Sequence, residues 1–275
     1  MSSNPSPRPG ASRLRACIAA CAAALLVAAC SSPEVRDETA GWSAQKIYTD
    51  AREEMRTGSW ERAIKLLEAL ESKYPFGRFA QQAQLDIAYS YWKNNDLASA
   101  VAACDRFIKL YPNHEHIDYV LYLRGLIHFN EDLGFAGKIT RQDQTERDNR
   151  GARESFDTFK NLVARFPDSK YSEDARLRLR YLINALAQYE IHVARYYMRR
   201  GAFVAAVNRA QFLIQNYPNT PANEEALFVM FKAYEAMGMN DLRDSAKRVL
   251  DLNFPKSELV RNNGPRSTEP WWKLW

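Results

Sequence analysis

From about residue 43 onward, apolar residues recur at three- and four-residue steps, the spacing of helices with one buried face. Trp60, Ala63, Ile64, Leu67 and Leu70 form one such face. Ile87, Ala88 and Tyr91 form another, answered after a short break by Leu97, Ala100, Cys104 and Phe107. The runs close on an aromatic residue and a proline: Tyr74-Pro75, Tyr111-Pro112, Phe166-Pro167, Tyr217-Pro218 and Phe254-Pro255. Proline cannot continue a helix, so each pair reads as a helix end. Seventeen residues before each proline stands a turn position: Gly58, Asn95, Arg150, Gly201 and Gly238. A fixed period of helix, turn, helix and proline predicts stacked helical hairpins. The expected class is therefore all-α, an α-solenoid of five hairpins over residues 43–255. Such stacks offer an extended surface to a partner.

The second hairpin, about 79–112, resembles the tetratricopeptide pattern. Small residues on both helices, Ala88 and Ala100, allow close approach, and Cys104 reads as a small core residue. The third hairpin departs: residues 131–150 form a long, polar, charge-rich insertion where a tight turn belongs. Loops of that length tend to be functional or disordered. In the fourth, periodicity runs unbroken from Ser172 to Arg200, which predicts one long helix with Ser172 as its cap. Thr220-Pro221 reads as cap and first helical residue of the fifth hairpin. Its second helix carries Arg243 and Lys247 where apolar residues stood before, a polar outer face suited to a terminal repeat.

Residues 1–29 follow another pattern. Arg8, Arg13 and Arg15 precede an apolar run, Ala16 to Val27, too short to span a bilayer. Small residues follow, then Cys30. This is a secretory leader, and its end resembles a bacterial lipobox, with Cys30 as the lipidated residue. Residues 30–42 read as a polar tether. Ser31 after the cysteine, rather than aspartate, implies outer-membrane sorting. The tail, 256–275, is polar until Pro270-Trp271-Trp272-Lys273-Leu274-Trp275. Those tryptophans suit a partner, a membrane interface or the protein's own last repeat.

Charge narrows the partners. Of 38 basic residues three lie in the leader, leaving 35 against 33 acidic ones, a net +2. That lacks the excess of a nucleic-acid binder. No phosphate loop, nucleophile elbow or dinucleotide fingerprint is present. His114, His116, His128 and His192 lack the spacing of a zinc site. No enzyme activity, metal or cofactor is expected beyond the covalent lipid on Cys30.

Four segments together resemble the BamD family of outer-membrane-protein assembly lipoproteins: Tyr74–Leu85 (YPFGRFAQQAQL), Asn113–Leu126 (NHEHIDYVLYLRGL), Arg153–Asp168 (RESFDTFKNLVARFPD) and Tyr189–Arg209 (YEIHVARYYMRRGAFVAAVNR). The resemblance implies a lipid-anchored subunit on the periplasmic face of the outer membrane. Its implied partners are the POTRA domains of BamA, the other Bam lipoproteins and unfolded outer-membrane proteins. Carried onto this chain, Phe203, Asn208 and Arg209 fall in the BamA-facing segment. Tyr74, Phe76, Arg78 and Phe79 fall near the substrate groove. Arg209 reads as solvent-facing, with a bridge to Glu235 or Asp241 as the structural alternative. A periplasmic scaffold of the same fold, serving division or polysaccharide export, is the rival reading.

Overall fold

The computed structural model describes residues 38–132 and 149–262. The chain divides into two units, 1–42 and 43–275. Of the first, residues 38–41 form a turn; Cys30 and the leader lie outside the described residues.

Among the described residues the second unit is helical, without strands. Five hairpins follow one another: α1 (Ala44–Thr57) with α2 (Trp60–Lys73), α3 (Arg78–Lys93) with α4 (Leu97–Leu110), α5 (Ile117–Asp132) with α6 (Arg150–Arg165), α7 (Ser172–Arg199) with α8 (Phe203–Asn216), and α9 (Ala222–Ala236) with α10 (Asn240–Asn253). A short α11 (Glu258–Arg261) closes the described chain. Each helix packs chiefly on its sequence neighbours, the arrangement of a repeat stack. First helices of successive hairpins also meet, α7 and α9 most extensively.

The period seen in the sequence is a backbone period. Tyr74, Tyr111, Phe166, Tyr217 and Phe254 cap their helices in one conformation, φ −126° to −131° and ψ 59° to 68°. Each amide donates to the carbonyl four residues back, on Leu70, Phe107, Leu162, Leu213 and Leu250. All five of those side chains are buried. The following proline excludes helical backbone at the capping residue, so the helix ends there. At the opposite end of four hairpins, Gly58, Asn95, Gly201 and Gly238 take φ between 62° and 83°. Glycine and asparagine tolerate that left-handed region. Arg150 is the exception. It is the first residue of α6 rather than a turn residue, because the insertion relieves that position of making a tight reversal. Of the insertion, 133–148 lies outside the described residues.

Close approach is carried by small residues. Ala88 and Ala100 are buried, as is Cys104, whose thiol burial pushes up to about 12. Gly125 in α5 is the tightest point. A Cβ there would lie 2.5 Å from the Phe159 ring of α6, and the Gly125 carbonyl accepts from Ser155 Oγ at 2.9 Å.

Two expected caps act differently. α7 does begin at Ser172, but its hydroxyl is buried and donates back to the Phe166 carbonyl at 2.5 Å. Thr220 Oγ1 donates to the Tyr217 carbonyl, and α9 begins one residue beyond Pro221. In both, the hydroxyl reaches the carbonyl of the residue that closes the previous helix; the Phe166 carbonyl also accepts from the Ser169 amide at 3.1 Å, and Thr220 Oγ1 lies closer still, 2.6 Å, to Asn223 Oδ1 in the first turn of α9. α7 runs 28 residues, about 42 Å.

Candidate functional site: two partner surfaces on the helical stack

The turn between α2 and α3 carries four of the residues singled out from the sequence. Gly77, at φ 98°, swings the chain into α3. Phe76 is 90% exposed and Tyr74 is 38% exposed. Arg78 places its guanidinium 5.3 Å above the Phe79 ring, a cation–π distance. Phe79 in turn lies 5.6 Å from the Tyr48 ring of α1. The structure thus joins Arg78 and Phe79 to α1 and leaves Phe76 projecting.

Behind Phe79 is a polar network with no counterpart in the sequence reading. Tyr48 donates to Asp86 Oδ2 at 2.8 Å, and Arg52 Nη1 donates to Oδ1 at 3.2 Å. Burial pushes the Asp86 carboxyl above the ordinary aspartate range, against the pull of Tyr48 and Arg52. Burial and the Asp86 charge push the Tyr48 phenol upward as well. The signal was a lone acidic residue inside a stretch of α3 buried from Ala83 to Ala88. The same device recurs between later first helices. Tyr122 of α5 donates to Asp174 of α7 at 2.8 Å, and Arg195 of α7 clasps Glu225 of α9 with two donors.

At the other end, Phe203 begins α8 and packs against Val207, Ala233, Tyr234 and Ala246. Asn208 is exposed. Arg209 is 42% exposed, yet it is not free: Nη1 donates to Glu190 Oε2 at 3.2 Å. This corrects the expectation of a solvent-facing arginine, or one bridged to Glu235 or Asp241. The length of α7 carries Glu190 alongside α8, nearer than any acid of the next hairpin. Glu190 has no exposed surface, and its other oxygen accepts from Arg153 Nη2 of α6 at 2.6 Å. Arg153 also donates through Nε to Asn149 and lies 5.6 Å over the Phe212 ring. A buried carboxylate is tolerated only when paired; here two guanidinium groups from flanking helices pair it. Sequence reading found Arg209 but missed Glu190 and Arg153, since contacts 19 and 37 residues apart have no local signature.

Arg124 is a second such residue. It bridges α4 and α6 by donating to Asp105 at 2.7 Å, Thr158 at 2.5 Å and Glu154 at 3.3 Å. His114 Nδ1 accepts from the His116 amide at 3.1 Å, and its ring sits against Phe107. Among the described residues no cluster of three His, Cys, Asp or Glu side chains is placed to hold a metal. No helix among them is long and apolar enough to cross a membrane.

The chain matches the outer membrane lipoprotein family YfiO over residues 41–249, which takes in all five hairpins nearly to their end. The chain belongs to that family. Relatives named outer membrane protein assembly factor BamD agree with it. One from Neisseria meningitidis serogroup A is 44% identical over 91% of this chain and 96% of its own length. Another, from Neisseria gonorrhoeae, is 43% identical with the same coverage. A third, from Vibrio cholerae, is 40% identical over 84% of this chain and 95% of its own. BamD family membership therefore spans both surfaces just described.

Proposed function

We propose that this chain is a non-enzymatic scaffold in outer-membrane protein assembly. It is held at the periplasmic face of the outer membrane by lipid on Cys30. It binds the POTRA domains of BamA through the face bearing Phe203, Asn208 and Arg209, holds the accessory lipoproteins, and receives unfolded outer-membrane proteins near Tyr74, Phe76, Arg78 and Phe79. The observation that carries this reading is the match to assembly factors over 91% of the chain. A stack of hairpins joined by paired side chains supports it, since such a stack binds extended surfaces rather than performing chemistry.

The test is recovery of BamA with an affinity-tagged full chain from detergent-solubilised envelopes. BamA is expected in the eluate at near-stoichiometric amounts. Arg209→Lys keeps a cation beside Glu190 but removes the planar fork, and should reduce that recovery without unfolding the chain. An eluate lacking BamA but carrying another envelope complex would replace this reading with a scaffold for that process. Anchoring is tested separately: Cys30→Ser should move the protein out of the outer-membrane fraction after a high-salt wash.

A further inference from the structure

The last hairpin exposes more apolar surface than a terminal repeat should. Only Ala246 and Leu250 of α10 are buried. Leu242, Val249 and Leu252 are exposed, Leu252 to 76%. At 3.6 residues per turn these three fall within roughly 80° of arc, so they form one stripe along the helix. The expected polar outer face exists only in part: Arg243 pairs with Asp244 and Lys247 with Asp251, and the stripe runs beside them. In each earlier hairpin the second helix is covered by the first helix of the next. α10 has no such successor among the described residues. α11 covers one side only, placing Leu259 and Val260 against Leu227, Phe228 and Leu250.

We propose that the stripe on α10 is the docking site of this chain's own tryptophan-rich tail, Trp271 to Trp275. The tail follows α11 directly, and α11 is already seated beside Leu250. Residues 263–270, ahead of the first tryptophan, can reach about 26–29 Å when extended. The whole of α10 is about 21 Å long, so every position of the stripe is within range. The chemistry fits: each indole brings on the order of 150–250 Å² to cover, and the stripe offers aliphatic side chains without buried charge. A tether this short holds the tail at a millimolar-order effective concentration, ahead of a ligand that must arrive from solution. The tail then completes the stack where a sixth hairpin would otherwise sit.

A coupling experiment tests this. Leu252→Asp is made in the full chain and in a chain ending at Asn262, and the thermal midpoint of each is measured. In the full chain the substitution should lower the midpoint by at least about 2 °C. In the shortened chain the same exposed position should be indifferent, because nothing covers it. Equal shifts in both chains, or none in either, would overturn the proposal. A photoreactive residue at position 272 gives a second reading in dilute protein and in envelopes. An adduct within the α10 peptide of the same molecule supports docking in cis. An adduct on another protein, on a second copy or on lipid overturns it and gives the tail to that ligand. Neither measurement reads BamA recovery, so this proposal and the assembly role fail separately.

Discussion

The turn at Tyr74–Phe79 and the clamp at Arg153–Glu190–Arg209 are both candidate partner surfaces, and they are built in opposite ways. At the turn, Phe76 projects almost fully exposed. At the clamp, two half-exposed arginines are fastened to a carboxylate with no exposed surface at all. A surface residue of the first kind is spare: removing it leaves the fold with nothing unpaired. A residue of the second kind serves fold and surface together. Loss of binding after its substitution therefore carries two messages unless stability is measured alongside.

Arg209→Glu should show the largest effect. It removes one of Glu190's two donors and sets a second carboxylate against a buried one. Breaking a buried pair typically costs 3–5 kcal/mol. Arg153 remains and Arg209 is partly in solvent, which reduces the figure. A loss of about 2 kcal/mol is expected, or roughly 4–8 °C in midpoint for a domain of this size. Glu190→Gln in the same background should recover part of it, since the like-charge contact disappears. If Arg209→Glu melts like the unsubstituted chain while BamA recovery falls, the clamp is a surface only and the contrast drawn above collapses.

Gly125→Ala isolates packing from charge. The new methyl would sit 2.5 Å from the ring of Phe159, a side chain with no exposed surface. Overpacking of this kind costs about 1–3 kcal/mol, outweighing the gain of about 1 kcal/mol in helix propensity from replacing glycine. Denaturant unfolding should give a lower midpoint with an unchanged slope. Phe159→Leu in the same chain should restore part of it by vacating the contact.

Asp86 behind the turn offers a smaller, pH-dependent effect. Burial raises its folded pKa above the unfolded value. The folded chain therefore binds that proton more tightly than the unfolded chain. The group's unfavourable contribution is full at neutral pH. It fades as pH falls through the folded pKa and is gone below the ordinary aspartate value. Stability of the native chain minus that of Asp86→Asn should accordingly rise on acidification across that window. A difference that stays flat, or falls, would mean that Tyr48 and Arg52 outweigh burial.

What the sequence disclosed follows the range of each interaction. The hairpin period was legible because it is local: aromatic-proline ends and left-handed turns act through bonds four residues apart. Arg150 misled because its turn had been replaced by the insertion. The caps at Ser172 and Thr220 were placed within a residue or two, but the Ser172 hydroxyl reaches back to Phe166, and the Thr220 hydroxyl is shared between Tyr217 behind it and the Asn223 side chain ahead. Glu190, Asp86 and Arg124 were invisible for a different reason. Each is a polar residue on a helix whose apolar face gives no sign of it, and its partners lie 19 to 38 residues away. Single residues were therefore readable as candidates, while the networks that hold them required the fold.

Phe76→Ala should show the smallest effect on folding and so sharpens the comparison from the other side. At 90% exposure the ring buries almost nothing against its own chain, and substitutions at such sites usually stay within about 0.5 kcal/mol. Its neighbours do not depend on it: Phe79 is held by Tyr48 and Arg78, and Gly77 sets the turn by its own backbone. The midpoint should therefore match the unsubstituted chain. Binding is another matter. An exposed aromatic beside an arginine suits an extended peptide ending in an aromatic residue. Affinity for a peptide from the last strand of an outer-membrane protein, read by fluorescence anisotropy, should fall several-fold. Tyr48→Phe supplies the contrast at the same site. It leaves the Phe79 contact but deprives Asp86 of a donor, so it should lower stability while leaving peptide affinity nearly intact. Should Phe76→Ala bind the peptide unchanged, the turn is exposed without being used, and substrate reception belongs elsewhere on the stack.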